Sequence, residues 1–76
     1  MFKDKLKELR EREGLSQQEL ADRLFVSRSA IAKWENGNGL PSDVNLVAIC
    51  NFFNINKKYL ELNNDDLTYT KKQKYN

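Results

Sequence analysis

SQQELADRLFVSRSAIAKWENG, residues 16–37, holds two short helical patterns, each opened by a serine, with only a few residues between them. Ser16 is a strong N-cap, and Glu19 three positions later completes a capping box, in which serine and glutamate each take one of the unpaired N–H groups at the helix start. A helix is predicted over residues 17–24, with Leu20, Ala21 and Leu24 on its inner face. Phe25 and Val26 form the connection. Ser27 caps a second helix over residues 28–35, with Ile31 and Trp34 inward.

Two helices joined by so short a turn must cross steeply. Only a small side chain fits at the crossing, and Ala21 occupies it. Ile31 and Trp34 hold the second helix against its neighbours, so positions 28, 29, 32 and 33 face outward. This spacing is that of a helix-turn-helix unit, whose second helix enters the DNA major groove.

The flanking sequence supplies the rest of a helical domain. Phe2, Leu6 and Leu9 recur at helical spacing, which predicts an amphipathic helix over residues 2–13 that Gly14 terminates. Asn36-Gly37-Asn38-Gly39 is a turn signal, and Pro41 forbids helix just before it. Ser42 caps a fourth helix over residues 43–53, where Leu46, Ile49, Cys50 and Phe53 follow the i, i+3, i+4, i+7 pattern. Asn54 is a left-handed terminator, and Asn56 opens a short fifth helix over residues 57–61 with Tyr59 and Leu60 inward. The expected fold is all-α, a compact five-helix bundle. The domain spans residues 1–62, and residues 63–76 form a weakly patterned tail, frayed or tied down by a partner. Within it Lys71 to Lys74 read as a solvated charge run.

Composition narrows the function. With 39% apolar and 32% charged residues the chain is globular, and its net charge of +2 permits a nucleic-acid partner without demanding one. The single cysteine, Cys50, lies in an apolar run and reads as a core thiol. There is no histidine, which removes histidine acid–base chemistry and most metal sites. No Gly-rich phosphate loop and no carboxylate pair in a cleft suggests an enzyme. No cofactor, metal or small-molecule ligand is expected. No run is long or apolar enough for a signal core or a membrane span, so a cytoplasmic protein is expected.

From Lys5 to Leu62 the chain resembles the lambda-repressor-like DNA-binding domains of the Cro/repressor or XRE type. The resemblance rests on three segments together: Leu15 to Ala21 (LSQQELA), Val26 to Ile31 (VSRSAI) and Trp34 to Gly37 (WENG). It implies double-stranded DNA as partner. It also places Gln17 at the start of the second helix facing the DNA backbone, with Gln18 beside it; an amide at a helix N-terminus suits a phosphate. Arg28, Ser29, Ala32 and Lys33 become the base-reading set: Arg and Lys suit guanine acceptors, Ser bonds either way and Ala meets a thymine methyl. The plainer reading is an ordinary polar helix face. Asn36 and Ser27 are phosphate donors by the same resemblance, although turn formation and capping alone explain them. Arg10 and Glu35 are implied to pair and link the first helix to the end of the third. Trp34 reads as core and not as a base-stacker. The family has glycine at the turn where this chain has Phe25. If the left-handed backbone is kept, a non-glycine residue there costs about 1 kcal/mol; otherwise the turn adjusts.

The fourth helix carries a second apolar stripe, Val44, Ala48 and Phe52, with Tyr59, Leu60, Leu62 and Leu67 adding apolar surface. Either a thick core absorbs them or they form a homodimer interface, with Val44, Ala48, Phe52, Tyr59 and Leu62 as candidates. The expected function is a sequence-specific transcriptional regulator from a bacterium, phage or mobile element. It would act as a repressor, a homodimer on a palindromic operator. A regulatory protein is a further candidate partner, and the alternative function is an antitoxin or adaptor whose main partner is another protein.

Overall fold

The computed structural model describes residues 1–61. The tail reading, Leu62, Leu67 and Lys71 to Lys74 lie outside the described residues. Among the described residues every regular element is a helix: α1 (Phe2–Arg12), α2 (Gln17–Leu24), α3 (Arg28–Glu35), α4 (Asp43–Phe53) and α5 (Lys57–Glu61). The first helix is one residue shorter than expected, because Glu13 already leaves the helix with ψ near 1°. The other four match their predicted bounds.

The starts of α2, α3 and α4 are set by serine caps. Ser16, Ser27 and Ser42 accept hydrogen bonds from the N–H groups of Glu19, Ala30 and Asn45. At α2 the Glu19 carboxylate also takes the Ser16 N–H at 2.8 Å, closing the capping box. Asn56 plays the corresponding part for α5, its side-chain oxygen accepting the Tyr59 N–H at 3.0 Å.

The ends share one device. Each of the first four helices closes on a left-handed residue: Gly14, Phe25, Gly37 and Asn54. The residue after it donates back to a carbonyl of the last turn, as Leu15 to Arg10, Val26 to Ala21, Asn38 to Lys33 and Ile55 to Cys50. This is the bonding of a Schellman closure, for which glycine and asparagine are the common left-handed residues. Phe25 is the exception. It holds φ 58° and ψ 42°, so the turn keeps the geometry that favours glycine and carries the strain. Phe25 is 93% exposed, so no burial offsets that strain. Phe25→Gly is therefore expected to stabilise the domain. Relief of about 1–2 kcal/mol of left-handed strain outweighs the extra unfolded-state freedom of glycine, roughly 0.5–1 kcal/mol. Thermal melts followed by circular dichroism should show a midpoint several degrees higher, and an unchanged midpoint would mean that phenylalanine costs this turn nothing.

The core is assembled from all five helices. Leu6, Leu9, Leu20, Ala21, Leu24, Ile31, Trp34, Ile49, Cys50 and Leu60 are buried together. The α2 and α3 helices pack on each other, α1 lies against α3 and α5, and α4 lies against α2 and α5. Trp34 and Cys50 are thus core residues, as their periodicity required. On α4 only Ile49 and Cys50 are buried, while Leu46 and Phe53 sit half-buried at the core's edge.

The expected stripe on α4 divides. Ala48 and Phe52 pack against the core, whereas Val44 is 78% exposed. Geometry explains this: residues four apart drift by about 40° around a helix of 3.6 residues per turn, so Val44 and Phe52 point about 80° apart. Phe52 meets Phe53 edge to face at 4.9 Å and lies under the Arg23 guanidinium. Tyr59 also packs against the core, with the Lys5 ammonium 4.4 Å from its ring centroid.

Candidate nucleic-acid interface

Ala21 is fully buried on α2, which packs against α3, and Ile31 and Trp34 are the apolar side chains that α3 buries in the same core. The sides of α3 that remain carry Arg28, Ser29 and Lys33, all exposed, with Ala32 half-buried between them. The four expected base-reading residues therefore share the outward part of one helix.

The N-terminus of α3 has no acidic residue in its first turn, whereas that of α2 carries Glu19. A helix start attracts anions through its unpaired N–H groups and dipole, so α3 keeps a positive end that α2 partly neutralises. At that end Ser27 caps through its oxygen, and its hydroxyl lies 3.1 Å from that of Ser29. Capping leaves the Ser27 hydroxyl proton available as a donor.

Beneath this surface lies a buried ion pair. Arg10 Nε donates to Glu35 Oε2 at 2.7 Å and Arg10 Nη2 to Glu35 Oε1 at 2.9 Å, a two-pronged contact between the first helix and the last turn of α3. Arg10 Nη1 donates to the Leu15 carbonyl at 2.7 Å, tying in the loop before α2. The Glu35 hydrogen bonds hold the guanidinium above its already high ordinary pKa, against the opposing effect of burial. A raised pKa gives stability that is lost only as the pH climbs through the folded-state value, so Arg10 keeps its charge throughout any working range.

The phosphate candidates are placed differently from one another. Asn36 is exposed just beyond α3, with its backbone N–H bonded to Ala32. Gln18 is exposed, and its amide donates to Asp22 at 2.8 Å on its own helix. Gln17 is half-buried: its amide nitrogen donates to Glu35 Oε1 at 3.1 Å, and its amide oxygen accepts from Arg28 Nη1 at 3.4 Å. Sequence reading placed Gln17 at the surface but gave it no role between the ion pair and the base-reading face. The four residues are scattered from position 10 to position 35, and no local periodicity links them.

A short turn, a small residue at the crossing and an outward polar face on the second helix define a helix-turn-helix domain. The chain belongs to the helix-turn-helix family of the Cro/repressor type, whose model matches residues 6–60. It is 46% identical over 54 residues to "HTH-type transcriptional activator BcrR" of Enterococcus faecalis, covering 71% of this chain and 26% of that protein. It is 35% identical over 60 residues to "Uncharacterized HTH-type transcriptional regulator YqaE" of Bacillus subtilis, covering 79% of this chain and 52% of that protein. To "Uncharacterized HTH-type transcriptional regulator YgzD" of the same organism it is 40% identical over 54 residues, which span 82% of that protein. The chain thus spans about a quarter of the first relative and about half of the second. All three relatives are named as HTH-type transcriptional activators or regulators. Among the described residues no helix is long and apolar enough to cross a membrane.

Proposed function

We propose that this domain binds double-stranded DNA sequence-specifically and represses transcription as a homodimer on a palindromic operator, with α3 in the major groove. The carrying observation is the outward face of α3: Arg28, Ser29 and Lys33 are exposed beside a helix start that lacks any acidic residue. Arg28 and Lys33 offer donors to guanine edges, and Ser27, Asn36 and Gln17 offer donors to phosphates. Repression needs only occupancy of the operator. The relative named as an activator favours a second reading, in which the same DNA contact serves activation.

The homodimer reading is supported by charge. Of the 13 Lys and Arg and 11 Asp and Glu residues in the chain, only Asp43 falls between Asn36 and Asn56. Within that segment Leu40, Val44 and Val47 are exposed apolar side chains. Loss of charge around exposed apolar residues is the composition of an interface core. A surface that meets its own copy across a two-fold axis also needs no opposite charge, only the absence of like charges. Val44→Glu places two carboxylates at that axis and is expected to shift the protein to monomer in sedimentation, with its melting midpoint little changed. If the variant sediments as wild type does, this surface is not where copies meet.

The function is tested by selecting binding sites from a random duplex pool at two salt concentrations. A palindromic consensus, bound less tightly at high salt, supports the dimeric operator reading, and the half-site spacing gives the dimer geometry. Folded protein that enriches no sequence overturns it in favour of a protein partner.

A further inference from the structure

We propose that Asn38 is a site of spontaneous modification: as the protein ages it deamidates and weakens the hold on DNA, while Asn36 beside it is locked against the same reaction. The chain contains two Asn-Gly pairs, Asn36-Gly37 and Asn38-Gly39, and no other asparagine is followed by glycine. Glycine matters because the next backbone nitrogen must reach the asparagine side chain, and a Cβ on that residue obstructs the approach. The glycine nitrogen loses its proton to hydroxide and attacks the asparagine Cγ. The N–Cγ bond forms, the Cγ–Nδ2 bond breaks, and Nδ2 leaves as ammonia with a proton taken from water. Water then opens the succinimide ring at one of its two carbonyl carbons, splitting one bond to the glycine nitrogen. One route gives aspartate. The other gives isoaspartate, with the main chain running through Cβ. In both, amide plus water becomes carboxylate plus ammonium.

The two pairs share this chemistry but not their surroundings. The Gly37 N–H donates to the Trp34 carbonyl at 3.3 Å, so its proton is engaged. Asn36 has ψ of -2°, which sets the Gly37 nitrogen beside the Asn36 nitrogen and turned away from Cβ. Lys3 lies across Gly37, its Cδ 2.9 Å from the point where a Cβ on that glycine would stand. Turning the Gly37 nitrogen toward the side chain would break the bond and displace the lysine. Gly39 has none of these restraints. Its N–H donates no hydrogen bond among the described residues, and nothing lies within 4 Å of where its Cβ would stand. Asn38 and Gly39 are both exposed and outside any helix. Asn38 is anchored on its amino side, its N–H donating to the Lys33 carbonyl at 2.9 Å, and the bond that must turn lies beyond that anchor.

Asn38 follows closely on Asn36, the proposed phosphate donor at the end of α3. A carboxylate there carries the sign of a phosphate and repels every duplex alike. The lock thus protects the amide that the phosphate contact uses, and the open pair supplies the charge that weakens it. The modification follows from the loop alone; its effect on DNA rests on the reading of α3 as the DNA-binding helix.

Purified protein is incubated in mildly alkaline and mildly acidic buffer, and its peptides are mapped by mass spectrometry over time. Asn38 is expected to convert, faster in the alkaline buffer because hydroxide frees the attacking nitrogen, while Asn36 persists. Gly39→Ala has open space around its Cβ and no left-handed backbone to strain, so it folds as wild type does and slows the conversion. Anisotropy titrations on the selected duplex then compare fresh wild type, aged wild type, Asn38→Asp and aged Gly39→Ala. Aged wild type and Asn38→Asp should bind about two- to tenfold more weakly, the scale of one charged contact, and aged Gly39→Ala should bind as fresh protein does. Equal conversion of Asn36 and Asn38, or none of Asn38, overturns the assignment of the site. Asn38→Asp that binds as tightly as fresh wild type overturns the link to DNA. If fresh wild type binds no duplex, the reading of α3 fails and the link fails with it, while the mass map decides the site by itself.

Discussion

Glu35→Leu is expected to cost about 3–5 kcal/mol of stability, because it strands the Arg10 guanidinium in a buried site with an unpaired charge. Arg10 is 9% exposed, and only its bond to the Leu15 carbonyl would survive. A domain of this size has on the order of 3–9 kcal/mol in total at about 0.05–0.15 kcal/mol per residue, so the variant forfeits a large part of its fold. The partner experiment is Arg10→Met with Glu35→Leu. Two apolar side chains of similar volume remove both the charge and its need for a partner, and most of the loss should return. Urea unfolding followed by Trp34 fluorescence reads both, since Trp34 is the sole tryptophan and is buried. Recovery in the double variant assigns the pair to orienting α1 against α3. A double variant as weak as the single one would make the pair a net source of stability. A single-variant loss below about 1 kcal/mol would mean that the pair behaves as a solvated surface contact.

Arg28→Ala carries the second large effect, and it falls on binding. A guanidinium held against a guanine edge contributes about 1–3 kcal/mol of discrimination, so affinity for the selected site should fall roughly 5- to 150-fold. Preference at one base pair should disappear while the others persist. Stability should hardly move, because the side chain is exposed and its bond to Gln17 is long at 3.4 Å. Asn36→Ala provides the contrast: removal of a phosphate donor weakens all duplexes by a similar factor and leaves the ranking of sequences intact. Anisotropy titrations on the selected site and its single-base variants separate the two patterns. An unchanged ranking for Arg28→Ala would remove it from the base-reading set, and Lys33 would be the next residue to test.

Much of this architecture was legible from local chemistry. A serine cap acts within three residues and a left-handed closure within six, so the bounds of α2, α3, α4 and α5 follow from short windows of sequence. The buried sides of α1, α2 and α3 follow from helical periodicity. Ala21, Ile31 and Trp34 were readable as contacts because a short turn leaves two helices few ways to cross. The outward position of Arg28, Ser29 and Lys33 follows by subtraction.

What the sequence determined by itself, then, is the set of helices, their inner faces and the family to which the chain belongs, because each depends on interactions a few residues long. The tertiary structure decided three things that such windows do not contain. It kept Phe25 left-handed, since the crossing of α2 and α3 requires that turn whichever residue occupies it. It divided the α4 stripe, since how far the core wraps round that helix depends on where α2 and α5 lie against it. It set Gln17 between Glu35 and Arg28, side chains 18 and 11 residues away along the chain, which share hydrogen bonds only because the start of α2 comes within reach of both.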